Sequence, residues 1–403
     1  MSNSIVIIGG GHAAAQLCAA LAEAGQGARV HVVCEEPAHP YQRPPLSKSY
    51  LKNAGEALQL HRDDAWYAGK GITVHLDDAA VAIDRTARKV RLASGQELAY
   101  GQLVLATGSR ARVLPALAQP LANVLSLRSA ADAEAIRSRL QEKTGQLVVL
   151  GGGFIGLEVA ATARHLGWEV RVLEAMPRLL SRSASPELSA QILEHHRSQG
   201  TQVELEAKVS DFRAESGRLA ALRVNSEEVA VDQLLLGIGA MPETRLAQEA
   251  GLAVENGIVV DAALRTSDPD ILAIGDCSSF PYRGQHVRLE SVQNANDQGK
   301  AAAATLQGQP ANYAPVPWFW SDQGGLRLQM VGLWRPGLQA VRRPGATPAS
   351  FSLFHYDGAD LVAVESANAP MDHMMARKIL EAGKSPAAAQ VADPAIQLKT
   401  LLT

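Results

Sequence analysis

The sequence predicts an α/β chain with two Rossmann-like dinucleotide-binding domains, the second inserted in the first, and a smaller α+β domain after them. Three observations carry this. Short apolar runs recur at Ile5–Ile8, Val30–Val33, 103–106, 147–150, 170–173, 234–236 and 271–274, several without alternation. Runs of that length and pattern suit parallel strands covered on both faces. Two of them lead into a glycine turn and then an alanine-rich helical stretch, at 13–24 and 157–166. The chain then changes character near Pro315, where prolines and tryptophans cluster in APVPWFWSDQ (314–323).

The first unit reads IVIIGGGHAAAQL (5–17), with Gly9, Gly11 and Ala14 in the G-x-G-x-x-G/A positions. The second reads LVVLGGGFIGLEVA (147–160), with Gly151, Gly153 and Gly156 in the same places. The first glycine permits a tight turn, the second lets backbone approach a pyrophosphate, and the third position lets helix and strand pack closely. The helix N-terminus then offers free N–H groups to the anion. Each second strand ends in an acid: Glu35 lies 21 positions after Ala14, and Glu174 lies 18 after Gly156. Both spacings are near the interval of about 20 residues at which a carboxylate reaches the ribose hydroxyls. Two such units imply two dinucleotides, a held flavin and an exchanging nicotinamide.

LVLATG (103–108) and ILAIGDC (271–277) flank the second unit, so the first domain resumes after it. The expected division is 1–111 with 240–316 for the flavin, 112–239 for NADH and 317–403 for the α+β domain. Asp276, at a strand end, is positioned to accept from a ribityl hydroxyl. Segments 73–84, Lys89–Leu92 and 202–224 read as hairpin inserts. In the last domain, 326–333, 352–356 and 361–365 read as strands, followed by a helix over 371–382. From Lys384 the tail reads as irregular, with a short helix at its end.

Composition bounds the alternatives. The formal net charge of −3, with 47% apolar and 20% charged residues, is that of an ordinary globular chain and argues against nucleic-acid binding. No apolar run approaches roughly 18 residues, and no secretory pattern precedes Ile5, so a cytoplasmic protein is expected. The three cysteines, Cys18, Cys34 and Cys277, form no C-x-x-C pair and read as buried small hydrophobes. That removes dithiol relay and cysteine-ligated metal. The eleven histidines show no metal spacing, and His195–His196 reads as a solvated pair in a charged helix.

YQRPPLSK (41–48), LVLATGSR (103–110), GGGFIGLEVA (151–160), TSDPDILAIGDC (266–277), ESVQNANDQGK (290–300) and PWFWSDQ (317–323) together resemble the FAD-dependent, NADH-using ferredoxin reductases of bacterial oxygenase systems. The likeness covers nearly the whole chain and implies a glutathione-reductase-like fold. It implies FAD contacts at Gly9, Gly11, Ala13, Ala14, Glu35, Arg43, Lys48, Val81, Ala106, Thr107, Gly108, Arg110, Arg128, Asp276 and Val292. It implies NADH contacts at Gly151, Gly152, Gly153, Phe154, Ile155, Gly156, Glu158, Glu174 and Gly239. It also implies that Lys48 and Glu158 meet by the isoalloxazine ring and that Trp320 lies at the flavin edge.

The expected activity is hydride transfer from NADH to FAD, then one-electron steps to a [2Fe–2S] ferredoxin that feeds an oxygenase. A redox-sensing flavoprotein of the apoptosis-inducing-factor type, an oxidase, and a rubredoxin reductase are the alternatives. Lys300, Arg288 and Arg327 are expected to form a basic rim for a transient, salt-sensitive contact with the ferredoxin. The chain itself is expected to be a monomer or homodimer. Two departures stand out: Gly324-Gly325 where relatives carry an aromatic and an acid, and His12 where an apolar residue is usual.

Overall fold

The computed structural model describes residues 3–117, 119–142 and 144–402. By its internal contacts the chain divides into two compact units. The first is Met1–Arg43, Leu58–Arg110 and Ala240–Pro315; the second is Pro44–Ala57, Ala111–Gly239 and Val316–Thr403.

The first unit is built on a five-stranded sheet in the order Ile271–Ala273, Gln102–Leu105, Ile5–Ile8, Val30–Val33, Thr73–His75. All its neighbours pair in parallel. Ile5, Val6 and Ile7 are buried to the last atom, which is why their run shows no alternation. The Ile271–Ala273 strand joins the same sheet although the second unit's chain intervenes. Thr73–His75 is therefore not part of a hairpin, as its sequence suggested, but the parallel edge strand beside Val30–Val33. The antiparallel insert begins later, with Ala80–Asp84, Lys89–Leu92 and Glu97–Ala99.

Helix His12–Glu23 packs against helix Val292–Leu306. Gly299 sets how close they come: a Cβ there would stand 2.8 Å from the Ala13 carbonyl oxygen and 3.1 Å from the Leu17 nitrogen. Both are backbone atoms and have no room to give.

The second unit repeats the plan. Its parallel sheet runs Gln202–Glu204, Glu169–Leu173, Gln146–Leu150, Gln233–Leu236, Val124–Leu125. Gln202–Glu204 again belongs to this sheet, and only Val209–Glu215 and Arg218–Val224 make the hairpin expected over 202–224. The early segment Pro44–Ala57 docks on helix Ala130–Glu142: the Tyr50 hydroxyl donates to Glu134 at 3.1 Å, and the Arg137 guanidinium lies 4.1 Å above the Tyr50 ring.

The same unit carries an antiparallel sheet in the order Trp318–Gln323, Leu326–Gly332, Asp360–Ala367, Phe351–Asp357, Gln339–Pro344. Helix Pro370–Glu381 covers it with Ala376 and Ile379 against Val331, Phe354 and Val364. The tail is more ordered than its composition suggested. It forms the short helix Ala388–Ala392 and the 3₁₀ turn Leu398–Leu402. The Arg343 guanidinium holds it by donating to the carbonyls of Val391, Asp393, Pro394 and Ile396.

Gly299→Ala should cost about 1–3 kcal/mol of stability, because the added methyl meets backbone on the facing helix. Gly55→Ala, with no atom within 4 Å of its Cβ position, should change stability by less than about 0.5 kcal/mol. Equal thermal midpoints for the two variants would contradict the packing described here.

Candidate active site

In the first glycine turn Gly9 has φ +120°, and a Cβ there would lie 2.1 Å from the Ala106 carbonyl oxygen. No side chain other than hydrogen fits. Gly11 has nothing within 4 Å of its Cβ position, so the backbone there is open to a ligand. The helix that follows starts at His12 with no side-chain cap on Gly11. Helices Pro186–Ser198 and Val292–Leu306, by contrast, are capped by Ser185 and Ser291. An uncapped first turn with open space over it fits an anionic pyrophosphate.

Around this turn lie the other residues expected of the flavin site in the same unit. Ala13 and Ala14 are buried in the helix, and Ala106 is buried at the end of its strand. Glu35 is exposed just past Val30–Val33. Arg43 pairs with Glu36 at 2.8 Å, and the Tyr41 hydroxyl donates to the same carboxylate at 2.6 Å. The Thr107 hydroxyl donates to the Glu243 carbonyl at 2.6 Å, Gly108 has φ +68°, and Arg110 pairs with Glu243 at 3.1 Å. Asp276 accepts from the Ser109 hydroxyl at 3.2 Å. Gly275 beside it donates its N–H to Gln298 at 2.6 Å. Val81 is half-buried in Ala80–Asp84, and Val292 opens its helix. The His12 ring packs edge-on against His61, centroids 4.5 Å apart. Arg128 falls in the second unit, where its backbone N–H donates to Asp132 at 2.9 Å.

The second turn is built the same way. Gly151 has φ +105°, and a Cβ would lie 2.5 Å from the Gly237 carbonyl oxygen. At Gly156 a Cβ would lie 2.7 Å from the Gly151 carbonyl oxygen, so this glycine permits the close helix–strand packing. Gly153, whose Cβ position has only the Gly237 oxygen within 4 Å, is left uncapped ahead of helix Phe154–His165. The Glu174 carboxylate accepts from the N–H of Gly152 at 2.6 Å and of Met176 at 2.8 Å. That fixes an acceptor at the rim of the turn. Ile155 is exposed, and the Phe154 ring meets Phe319 at 4.6 Å. Gly239 has φ +101°, with the Arg182 guanidinium 3.8 Å from its Cβ position.

One helical turn beyond this N-terminus stands a buried carboxylate, Glu158, 4% exposed. Its Oε2 accepts from Lys48 Nζ at 2.6 Å and from the Ser47 hydroxyl at 2.5 Å. Its Oε1 accepts from the Ser321 hydroxyl at 2.6 Å. Thr162, one turn further along the same face, donates to the Ser47 carbonyl at 2.9 Å and pins the segment that carries Lys48. Pro44 and Pro45 open the 3₁₀ turn Pro44–Ser47, which shapes that segment, and Lys48 also donates to the Pro44 carbonyl at 3.1 Å. Removing either charge would leave the other largely desolvated and unpaired, which is costly. Trp320 is half-buried with its ring 5.6 Å from that of Trp318.

Sequence reasoning missed Ser47, Ser321, Gln323 and His196. His196 is not solvated as expected: it is 1% exposed and bonded through Nε2 to Gln323 Oε1 at 2.9 Å. Its helix gave the signal, because Leu188, Ile192 and His196 repeat at i+4 on the face that Leu188 and Ile192 bury. The basic rim also needs correction. Lys300 and Arg327 are exposed, Arg327 pairing with Asp322 at 3.1 Å, but Arg288 pairs with Glu290 at 2.5 Å with its side chain 12% exposed. All three thiols are buried and unpaired, and burial pushes each of them up from the ordinary thiol range.

Two uncapped glycine turns, each with its strand-end acid and its own parallel sheet, define a two-dinucleotide oxidoreductase, which works with FAD and NAD(H). The chain belongs to the pyridine nucleotide-disulphide oxidoreductase family, whose model matches residues 3–299, and a reductase C-terminal model matches 318–402. It is 43% identical to the rhodocoxin reductase of Rhodococcus erythropolis, over 98% of this chain and 93% of that one. It is 40% identical, over the full length of both, to the ferredoxin–NAD(+) reductase component of the anthranilate 1,2-dioxygenase system of Burkholderia cepacia. The solved covalent complex of putidaredoxin reductase with putidaredoxin superposes with a TM-score of 0.94 at 35% identity, covering 99% of this chain and 98% of that one. Despite the family's name, the described residues hold no dithiol.

Burial pulls His196 and His373 down to about 4, from the ordinary 6.5. In the unfolded chain both take up protons below about 6.5. The unfolded state therefore binds more protons between about pH 6.5 and 4, and stability must fall as pH is lowered through that window. The thermal midpoint of the holoprotein should drop between pH 7 and 4.5. The drop should be smaller in His196→Gln and in His373→Gln; identical profiles for parent and variants would contradict it.

Proposed function

We propose that the chain is the reductase component of a bacterial oxygenase system, carrying electrons from NADH through FAD to a [2Fe–2S] ferredoxin. In this reading it works in the cytoplasm, and among the described residues no helix is long and apolar enough to cross a membrane. The observation that carries the reading is the pairing of two dinucleotide turns in a chain whose described residues offer no dithiol, so electrons have only the flavin to pass through. When bound, FAD accepts two electrons from NADH and releases them singly, which no side chain here does.

The three-domain division is kept: 1–111 with 240–316 for FAD, 112–239 for NADH, and 317–403. Gly9, Gly11, Ala13, Ala14 and Ala106 make the pyrophosphate turn for FAD, with Glu35 for the ribose and Asp276 for the ribityl chain. Arg43, Val81, Thr107, Gly108, Arg110, Arg128 and Val292 complete that set. Gly151–Gly156 and Gly239 receive NADH. Glu174 accepts from the adenosine ribose and repels a 2′-phosphate. Lys48 and Glu158 hold the nicotinamide end in place for flavin reduction, and Trp320 serves electron exit. The ferredoxin contact is transient and steered by charge, with Lys300 and Arg327 the exposed cations among those first considered.

The test is cofactor choice. Flavin reduction should favour NADH over NADPH in kcat/KM, and Glu174→Ala should narrow that ratio by about tenfold, the order of one charge-assisted contact. Equal kcat/KM for the two cofactors in the parent would overturn the assignment of Glu174.

A further inference from the structure

We propose that Ser321 and Gln323 are positioning residues that hold the Glu158 carboxylate, and through it Lys48, in the arrangement flavin reduction requires. The inference rests on the role given to Glu158 above. It starts from a coincidence of periods. The strand Trp318–Gln323 lies along helix Phe154–His165, with Phe319 against Phe154, Ser321 bonded to Glu158, and a Cβ at Gly324 falling 3.2 Å from Ala161 Cβ. Two strand residues advance about 6.6 Å and four helical residues about 6 Å. Residues 319 and 321 therefore meet successive turns of one helix face. Ser321 has no choice but to face Glu158, and Trp318 and Trp320 are turned to the other side of the strand.

The hydrogen bonds then run one way. Gln323 Oε1 has only lone pairs to offer, so His196 donates to it through Nε2–H at 2.9 Å. The Gln323 amide donates through Nε2 to Ser321 Oγ at 3.1 Å. With that lone pair taken, the Ser321 hydroxyl proton is aimed at Glu158 Oε1, 2.6 Å away. His195 fixes the same glutamine from its backbone, its Nε2 lying 2.8 Å from the Gln323 carbonyl oxygen. Ser321 and Gln323 are both wholly buried, so no water substitutes for either. A side-chain amide in the middle of the chain passes no proton along. The chain is a strut: it holds one carboxylate oxygen while Ser47 and Lys48 hold the other. Without it the carboxylate is free to turn, and the lysine ammonium turns with it.

The experiment is anaerobic flavin reduction by NADH in the holoprotein, with Ser321→Ala, Gln323→Leu, Glu158→Gln and the double variant Ser321→Ala/Glu158→Gln. Ser321→Ala should lower the limiting rate about tenfold, as one charge-assisted hydrogen bond to a buried carboxylate requires. The NADH concentration for half-maximal rate should stay within about twofold, because the loss falls on the reaction rather than on binding. Gln323→Leu should lower the rate less and carries the same test if Ser321→Ala folds poorly. In the Glu158→Gln background, Ser321→Ala should change the rate less than about twofold, since a residue that acts only through Glu158 has nothing left to act on. Independently of turnover, the carboxylate infrared band assigned by subtracting Glu158→Gln from parent should shift in Ser321→Ala. A parental rate in Ser321→Ala, additive losses in the double variant, or an unmoved band would overturn the inference alone. A parental rate in Glu158→Gln would overturn the inference together with the role of Glu158 on which it rests.

Discussion

One buried negative charge organises the second unit. Glu158 sits almost without solvent, and donors from two distant stretches of chain converge on it: Ser47 and Lys48 from one, Ser321 from the other. A carboxylate desolvated this far is tolerable only when fully paired. The requirement reaches outward. It accounts for the docking of the Pro44–Ala57 segment on the unit's helices and for the register of the Trp318–Gln323 strand. It also explains why two serines and a glutamine lie where an apolar core would otherwise close.

The glycine turns impose the other constraint. Gly9 and Gly151 each stand where a Cβ would collide with the carbonyl of a neighbouring strand's end, Ala106 in one unit and Gly237 in the other. The same solution appears twice because the same problem does: a backbone must come close to a pyrophosphate at the point where a parallel sheet opens. The helices behind the turns have no side-chain cap, which leaves their first N–H groups free to meet an anion.

The parallel sheets were legible because strands such as Ile5–Ile8 and Gln146–Leu150 are short, apolar and covered on both faces, and because each precedes a glycine pattern of few alternatives. Thr73–His75 and Gln202–Glu204 were misread as hairpin arms. Three residues at a sheet edge with a partly exposed pattern look like the start of the antiparallel insert that follows them. Lys48 and Glu158 were legible as a pair only through the family resemblance, since nothing local joins residues 110 positions apart. Ser321 and Gln323 were not legible at all, and His196 was misread although its i+4 spacing with Leu188 and Ile192 marked the buried face. Each is an ordinary polar residue in sequence, and only packing against Phe154–His165 and Pro186–Ser198 turns them into a line of donors. The short helical turn at the tail's end was legible, but the helix Ala388–Ala392 before it was not: its alanines and prolines carry no signal, while the residue that orders this stretch, Arg343, lies about fifty positions earlier.

The account is that electrons entering from NADH leave the flavin for an iron–sulfur carrier. The most direct test is anaerobic turnover with NADH and a [2Fe–2S] ferredoxin, run beside rubredoxin and beside O2 in the same enzyme preparation. The account predicts that NADH oxidation is coupled to cluster reduction, and that the ferredoxin is reduced faster than rubredoxin or O2. An enzyme that NADH reduces but that passes no electrons to any [2Fe–2S] ferredoxin, resting instead as a long-lived charge-transfer complex or discharging only to rubredoxin or O2, would contradict it.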